Sequence, residues 1–326
     1  MRVSLIVNVS ASAVTPRVRV VIAQSLAAEH DLEVLQTAAP GHATELAAEA
    51  AADGREVVAV LGGDGTLNEA ANGLVGTATT LAVLPGGSTN VMARTLGVKP
   101  DPVEATVQLL DTLRDPQAAW KRRVGLGSVN GRYFLFHTSV GFDAAIVDRV
   151  ERRSGLKRYA SHPAFFLAAL DTWFRHYDRK EPKLRVKSSA GDVEDAYMAV
   201  FMNSNPYTYL GSRPLNLAPG TDLTENALSA VVFRTLALRS LFNVAGRAMA
   251  SGRRVARHPR ITTIRDQDSL LVESLAGPVP HQCDGEYLGE TDHIDIAHHP
   301  RVLSLLAPLA PSAPVPRRPG WLRRRR

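Results

Sequence analysis

The sequence predicts an α/β domain with a parallel sheet, followed by a second domain that is a β-sandwich with inserted helices. Short apolar strands alternate with helical segments in the first part of the chain, which is typical of a parallel sheet covered on both faces. Glycine-rich turns follow two of these strands. After about residue 124, strand-like segments dominate, and the Gly, Pro, Asn and Asp residues between them favour an antiparallel sandwich.

The predicted elements of the first domain follow from hydrophobic periodicity. A strand at residues 2–8 is followed by the polar turn NVSAS and a helix at 16–30. Further strands are predicted at 32–37, 57–61 and 81–84, and further helices at 43–54, 67–74 and 89–96.

The second domain is predicted to be mostly strands. These strands are expected at 132–138, 184–187, 196–203, 227–233, 261–264, 269–273 and 293–297. The main exception is 147–177, whose basic and aromatic pattern predicts helices. We therefore expect an α/β domain at 1–123, a β-sandwich at 124–308 and a Pro/Arg-rich tail at 309–326.

Composition is that of an ordinary globular protein. The chain has 326 residues, of which 45% are hydrophobic, and this length suits two domains. The single cysteine, Cys283, excludes an intramolecular disulfide framework and any zinc site built on several thiolates. It fits a reducing compartment, and no apolar run is long enough for a membrane span or signal-peptide core, so we expect a cytoplasmic protein.

The net positive charge is confined to the C-terminal end. Residues 317–326 hold six of the 38 basic residues, which leaves 32 bases against 32 acids in the rest of the chain. A nucleic-acid-binding body is therefore not expected. The tail itself is either a solvated segment or a site for anionic lipid headgroups or nucleic-acid phosphates.

The string GGDGTLNE at 62–69 follows a predicted buried strand and opens a helix. Its glycines at 62, 63 and 65 allow a tight turn and close backbone approach to a ligand, and a helix N-terminus favours an anion such as phosphate. A plain packing turn is the structural alternative. Asp64 would be repelled by a bound phosphate unless a cation lies between them, so it indicates a divalent metal.

A second glycine turn, LPGGSTN at 84–90, also leads from a strand into a helix. Two such loops at the carboxyl ends of strands can line one crevice. Ser88, Thr89 and Asn90 are candidates for capping the helix, for hydrogen bonds to a nucleotide, or for both.

The string CDGEYLGE at 283–290 predicts a turn between two strands, because Asp-Gly is a common hairpin pair. Asp284 and Glu286 would project to the same side if the backbone were extended. Either carboxylate could accept a proton from a hydroxyl that attacks a phosphoryl group.

With these three strings in order, residues 2–305 resemble the diacylglycerol kinase catalytic family, the bacterial lipid kinases related to sphingosine and ceramide kinases. The segments VMARTLG at 91–97 and GFDA at 141–144 support the resemblance. It implies an N-terminal domain with the fold of NAD kinases and diacylglycerol kinases, a β-sandwich, and ATP bound between them. It also implies Mg²⁺ and γ-phosphate transfer to a lipid hydroxyl, with diacylglycerol or a related lipid as acceptor.

The resemblance further implies which residues form the site. Asp64 would hold the metal, and the base would be Asp284 or Glu286, a choice that the sequence leaves open. The implied nucleotide contacts are Asn8, Ser10, Thr44, Gly62, Gly63, Asp64, Gly65, Thr66, Glu69 and Ser88.

Three segments depart from the family pattern. The chain has NVSAS where relatives carry an Asn-Pro pair and a glycine, which bears on Asn8 and Ser10. Val91 replaces a second acid after the PGGST turn, while the hydroxyl of Ser88 is retained. Glu225 and Ser229 stand where many relatives have two metal-holding aspartates, which disfavours a secondary structural metal.

Two other functions compete with this reading. NAD kinases share the GGDGT loop, so phosphorylation of a soluble nucleotide is the nearest enzymatic alternative. A nucleotide-binding or membrane-docking module without catalysis is the other. For a lipid kinase we expect peripheral membrane association through the Arg tail or residues 156–177, which include Lys157, Arg158, Phe165, Phe166, Trp173 and Phe174. A core helix with a basic flank is the structural alternative for 156–177. An exposed sheet edge would permit a homodimer.

Overall fold

The computed structural model describes residues 1–114, 119–152, 162–224 and 227–308. Its strands are β1 (Arg2–Val7), β2 (Asp31–Gln36), β3 (Val57–Gly62), β4 (Thr80–Pro85), β5 (Ala119–Val129), β6 (Arg132–Phe134), β7 (His137–Gly141), β8 (Leu184–Lys187), β9 (Val193–Ala196), β10 (Met198–Met202), β11 (Thr208–Leu210), β12 (Arg213–Leu215), β13 (Leu228–Phe233), β14 (Ile261–Gln267), β15 (Ser269–Ser274), β16 (Val279–Cys283), β17 (Glu286–Thr291) and β18 (His293–Pro308). Its helices are α1 (Pro16–Ala27), α2 (His42–Ala52), α3 (Asp64–Leu74), α4 (Val91–Thr95), α5 (Pro102–Arg114), α6 (Phe142–Arg152), α7 (His162–Asp171) and α8 (Leu238–Ala250), and Thr172–His176 forms a π-helical turn.

The N-terminal sheet is parallel and covered on both faces, as predicted. Its strands lie in the order β2-β1-β3-β4. Every residue of β3 is buried, because one face packs against α2 and α3 and the other against α1 and α5. The helix α5 was not predicted from the sequence. Since the strands are parallel, their carboxyl ends meet at one edge, and this edge carries the turns singled out above.

The last strand of the described chain, β18, joins the two domains. Its first residues pair with β15, Ile296–His299 and Leu303–Pro308 pair antiparallel with β5, and Ser304–Leu306 pair in parallel with β4. The sequence predicted only residues 293–297 as strand. Leu303 and Leu305, from the end of β18, are fully buried in the core of the N-terminal domain. The predicted boundary between the two domains at residue 123 stays a prediction.

The second half is an antiparallel sandwich. One sheet has the order β14-β13-β10-β7-β16-β17. It packs on strands β18, β15, β8, β9, β5 and β6, which continue the N-terminal sheet through the pair of β4 and β18. Phe134, Phe201 and Val232 lie in the core between them. The alternating residues Val200 and Val231 point to the other face, which α6, α7 and α8 cover. The predicted fold class is confirmed.

Several predicted segments differ in detail. Residues 132–138 form two strands, β6 and β7, and residues 196–203 contain the end of β9 and all of β10. The predicted helices at 147–177 are present as α6, α7 and the π-helical turn, whereas α8 was not predicted. The Arg-rich tail, Glu225, Lys157 and Arg158 lie outside the described residues, as do the side chains of Phe165 and Phe166. Within the described ranges, no helix is both long and apolar enough to span a bilayer.

Candidate active site

The two glycine turns lie in contact at the edge of the N-terminal sheet. β3 and β4 are adjacent, and the amide of Gly86 donates a 2.7 Å hydrogen bond to the carbonyl of Gly62. A Cβ on Gly87 would lie 2.8 Å from the Cα of Gly63. Side chains are excluded at this contact, so the glycines serve the packing of the two loops as well as the approach of a ligand.

The N-terminus of α3 opens into the space beside these loops. Gly63 is the N-cap and provides no side-chain cap to the first helical amides, which are therefore available to an anion. The hydroxyl of Thr66 accepts a 2.8 Å hydrogen bond from the side-chain amide of Asn8. A Cβ on Gly65 would meet nothing within 4 Å. The loop therefore presents backbone donors and open space to a ligand.

Asp64 caps the neighbouring helix α4. Its carboxylate oxygens accept hydrogen bonds from the amides of Val91, at 2.9 Å, and Met92, at 3.2 Å. Burial raises the pKa of Asp64, and these two hydrogen bonds oppose the rise. The acid thus ties the GGDGT turn to the PGGSTN turn. Its predicted role as a metal ligand stays a prediction, to which the structure adds this capping role.

Glu69 and Thr44 connect α3 with α2. The carboxylate of Glu69 accepts a 3.2 Å hydrogen bond from the amide of Ala43, and the hydroxyl of Thr44 donates to the carbonyl of Glu69 at 2.9 Å. Thr44 therefore positions Glu69 from behind the site.

The CDGE segment is a tight hairpin turn between β16 and β17. Asp284 and Gly285 have φ angles of 47° and 84°, as a type I′ turn requires. The turn prediction is confirmed, but the backbone is not extended, so Asp284 and Glu286 do not project side by side. Asp284 points into the protein with 9% of its surface exposed, whereas Glu286 is partly exposed.

The carboxylate of Asp284 is surrounded by hydrogen-bond donors. It accepts bonds from the amides of Leu135, at 2.6 Å, and of Phe136 and His137, at 3.0 Å each. The side-chain amide of Asn68 adds a fourth at 2.8 Å. Burial raises the pKa of Asp284 to about 6, although all four hydrogen bonds favour the charged form. A pKa of about 6 suits a general base that works near neutral pH.

A polar network links this turn to α3. Asn68 also donates to the carbonyl of Tyr133 at 2.9 Å, and Asn72 bonds both backbone groups of Tyr133. Arg132 forms a 2.6 Å ion pair with Glu286. The helix that begins at the GGDGT turn is therefore bonded directly to the hairpin that carries both candidate bases.

One crevice brings most of the predicted site residues together. It has a volume of about 710 Å³, within the range of roughly 300–1,000 Å³ that is common for small-molecule sites. The predicted residues that line it are Asn8, Ser10, Gly63, Gly65, Thr66, Glu69, Ser88, Asp284 and Glu286. Thr44, Gly62 and Asp64 are not part of its lining.

The crevice also contains residues that the sequence analysis missed. Residues 37–40 follow β2, whose carboxyl end lies at the same sheet edge, so the position of that strand could have indicated them. Glu151 comes from α6 in the second domain. Asn68, which bonds Asp284, and Arg132, which pairs with Glu286, were not predicted either. The only sequence signal for Asn68 was its place in the GGDGTLNE string, and Arg132 had none.

The carboxylates in the crevice fit a metal that arrives with a nucleotide. Among the described residues, no three His, Cys, Asp or Glu side chains form a ready-made metal site. Mg²⁺ is commonly held by one or two carboxylates together with substrate phosphates, and Glu69 and Glu286 are available in that manner. Ser229 stands where many relatives carry a metal-holding aspartate. It is buried, and its hydroxyl accepts a 2.7 Å hydrogen bond from the hydroxyl of Thr221.

Known proteins resemble this chain in sequence and in fold. Residues 2–119 match the family model of the diacylglycerol kinase catalytic domain. A protein of Chromohalobacter salexigens named "Probable lipid kinase YegS-like" is 35% identical over 187 residues, which cover 56% of this chain and 57% of that protein. The diacylglycerol kinase of Bacillus subtilis is 41% identical over 101 residues, or 30% of this chain and 31% of that one. The chain thus matches about half or less of the length of these relatives.

A solved structure shares the whole fold. The crystal structure of a diacylglycerol kinase from Bacillus anthracis covers 94% of this chain and 96% of its own, with a TM-score of 0.69 and 22% identity. This similarity shows the fold, and the sequence match shows the family of the domain that carries the glycine turns. Residues 2–119 of this chain belong to the diacylglycerol kinase catalytic-domain family.

Proposed function

We propose that the protein is an ATP- and Mg²⁺-dependent lipid kinase that transfers the γ-phosphate of ATP to the hydroxyl of diacylglycerol or a related lipid. The observation that carries the proposal is the crevice in which the N-terminus of α3 faces the Asp284 hairpin. Phosphoryl transfer needs a phosphate site and a proton acceptor close together, and this crevice provides both.

The phosphates of ATP bind at the glycine turns. The uncapped amides at the start of α3 donate to phosphate oxygens, and the helix dipole favours their negative charge. Ser88 lies on the facing loop and adds a hydroxyl donor. Asn8 holds Thr66, and Asp64 holds the second loop, so the phosphate site is positioned before ATP arrives.

When bound, Mg²⁺ would neutralise phosphate charge during transfer. Glu69 and Glu286, which line the crevice, are the acids that would hold it together with phosphate oxygens. Arg132 keeps Glu286 oriented at the crevice wall through their ion pair.

Asp284 takes the proton of the acceptor hydroxyl. Its four hydrogen bonds occupy the carboxylate in the absence of a lipid, so one donor has to give way. Asn68 can do so, because its amide already donates to the carbonyl of Tyr133 as well. The pKa of about 6 leaves Asp284 ionised at neutral pH and able to accept a proton.

The test is transfer of labelled γ-phosphate from ATP in the presence of Mg²⁺. The acceptors are mixed micelles of diacylglycerol, sphingosine or phosphatidylglycerol, with NAD as a soluble control. We expect label in one lipid and none in NAD. Label only in NADP would make the protein a nucleotide kinase, and ATP binding without transfer to any acceptor would favour a non-catalytic module.

Two variants separate the candidate bases. Asp284→Asn should abolish transfer while ATP binding remains, and Glu286→Gln should reduce transfer less and raise the Mg²⁺ concentration needed for half-maximal rate. Full turnover of Asp284→Asn would remove the proposed base.

A further inference from the structure

A segment of concentrated positive charge covers the outer side of the second domain. The basic segment consists of α8 and the turns that follow it, residues 238–260. It contains six arginines and no aspartate or glutamate, although the chain before the C-terminal tail has equal numbers of bases and acids. Its arginines are Arg239, Arg247, Arg253, Arg254, Arg257 and Arg260. A run of this kind attracts an anionic partner.

The basic segment is held firmly on one side. Val244, Ala248 and Val255 are buried in the cluster that covers the six-stranded sheet. Arg247 donates a 2.9 Å hydrogen bond to the carbonyl of Arg254, which fastens the turns to the helix. At Gly252, whose φ is 70°, a Cβ would lie 2.2 Å from the carbonyl oxygen of Asn216. These contacts fix which residues face outward.

Apolar side chains lie among the outward-facing arginines. Phe242 is 52% exposed and Met249 is 38% exposed. They lie on the helix face opposite Val244 and Ala248, seven residues apart and thus two turns along α8. Arg239 stands at one end of this face, and Arg253 follows its other end. Exposed apolar groups between cations are typical of helices that lie in a membrane interface.

We propose that the basic segment is a docking surface for membranes that carry anionic lipids. The arginines bind the headgroups, and Phe242 and Met249 enter the boundary between headgroups and acyl chains. The pair favours a lipid over a nucleic acid, because a membrane interface takes up both apolar side chains, whereas base stacking would use only the ring of Phe242. The proposal extends the proposed function, which requires the enzyme to reach an acceptor in a bilayer.

The docking surface and the crevice are connected through α6. Phe142 and Ile146 of α6 pack in the same cluster as Val244 of α8, while Glu151 of α6 lines the crevice. When the protein docks through the basic segment, the helices that border the active site lie close to the membrane.

The test is sedimentation of the full-length protein with vesicles, without ATP or acceptor lipid. Vesicles of phosphatidylcholine alone are compared with vesicles that also contain phosphatidylglycerol. The double variant Arg253→Glu/Arg257→Glu is compared with Arg17→Glu/Lys99→Glu, which reverses two exposed charges on the N-terminal domain. Each basic residue at an anionic surface contributes about fivefold in affinity, so the first variant should bind at least about 25-fold more weakly. The second should bind like the wild type.

Binding of Arg253→Glu/Arg257→Glu equal to that of the control would overturn the proposal. Met249→Glu, whose change is confined to an exposed side chain, should also weaken vesicle binding and covers the case in which the double variant does not fold. Preference for a single-stranded oligonucleotide over anionic vesicles would overturn the lipid assignment. Because no ATP or acceptor is present, a protein without kinase activity can still bind the vesicles. A variant that does not dock should still phosphorylate detergent-dispersed lipid if the proposed function holds.

Discussion

The hydrogen bond between Asn68 and Asp284 allows a sharp test of Asp284 as the proposed catalytic base. The side-chain amide of Asn68 lies 2.8 Å from the carboxylate oxygen of Asp284 and favours its charged form. Asn68→Ala removes this donor, so the pKa of Asp284 should rise above its value of about 6. A base works only when deprotonated, and activity falls as the pH drops through its pKa. The acid limb of the pH–rate profile should therefore move to higher pH.

The size of this shift follows from the hydrogen bond. A hydrogen bond to a charged group contributes about 1.5–3 kcal/mol, and a tenfold change in protonation equilibrium corresponds to about 1.4 kcal/mol. Water that enters the space of the missing amide recovers part of this energy. We expect the acid limb to move up by about one pH unit, so that the rate at pH 6 falls several-fold more than the rate at pH 8.

The assay is initial-rate phosphate transfer from pH 5 to pH 9 at saturating ATP and Mg²⁺ and with the acceptor lipid well below saturation, so that the acid limb reports Asp284 before the acceptor displaces Asn68. Asn72→Ala is the matched control, since Asn72 bonds both backbone groups of Tyr133 and the backbone and side-chain oxygens of Asn68, but not Asp284. Its acid limb should stay at that of the wild type. An unchanged limb in Asn68→Ala, or the same shift in both variants, would refute Asp284 as the group that titrates.

Three further substitutions test other parts of the account. Gly65→Ala places a methyl group where nothing lies within 4 Å, so calorimetry should show weakened ATP binding while the melting temperature is retained. Asp64→Asn removes one of the two acceptors for the α4 amides and should lower the free energy of unfolding in urea by about 1–2 kcal/mol; an unchanged Mg²⁺ dependence would show that Asp64 does not bind the metal. Leu305→Ala, at a fully buried position of β18, should cost about 2–5 kcal/mol in the same urea assay, and a smaller effect than that of an exposed substitution such as Val107→Ala would contradict the pairing of β18 with β4.

Local patterns were sufficient for most of the N-terminal domain. β3 is a continuous apolar run that ends at a glycine pair, and Thr15 and Pro16 mark the start of α1, where the Thr15 hydroxyl accepts a 3.2 Å hydrogen bond from the amide of Val18. Asp-Gly indicated the hairpin at 284–285, and both φ angles agree. These features depend on neighbours in sequence, so the sequence alone could indicate them.

The features that depend on residues far apart in sequence could not be predicted. β18 is interrupted where Arg301 has a φ of 55° and its register against β5 shifts, so the apolar residues after it were not predicted as part of the strand. Their partner in the N-terminal sheet, β4, lies more than 200 residues earlier. The donors to Asp284 come from residues 135–137 and from Asn68. No local pattern reports such a pocket, which is why the choice between Asp284 and Glu286 was open at the level of sequence.

If the glycine turns and the Asp284 hairpin form one site for phosphoryl transfer, a bound nucleotide must reach from one to the other. A crystal structure of the protein with Mg²⁺ and a non-hydrolysable ATP analogue is the decisive experiment. We expect phosphate oxygens within hydrogen-bonding distance of the amides at the start of α3, with the terminal phosphate facing Asp284. A nucleotide bound elsewhere, or one whose terminal phosphate points away from the hairpin, would contradict it.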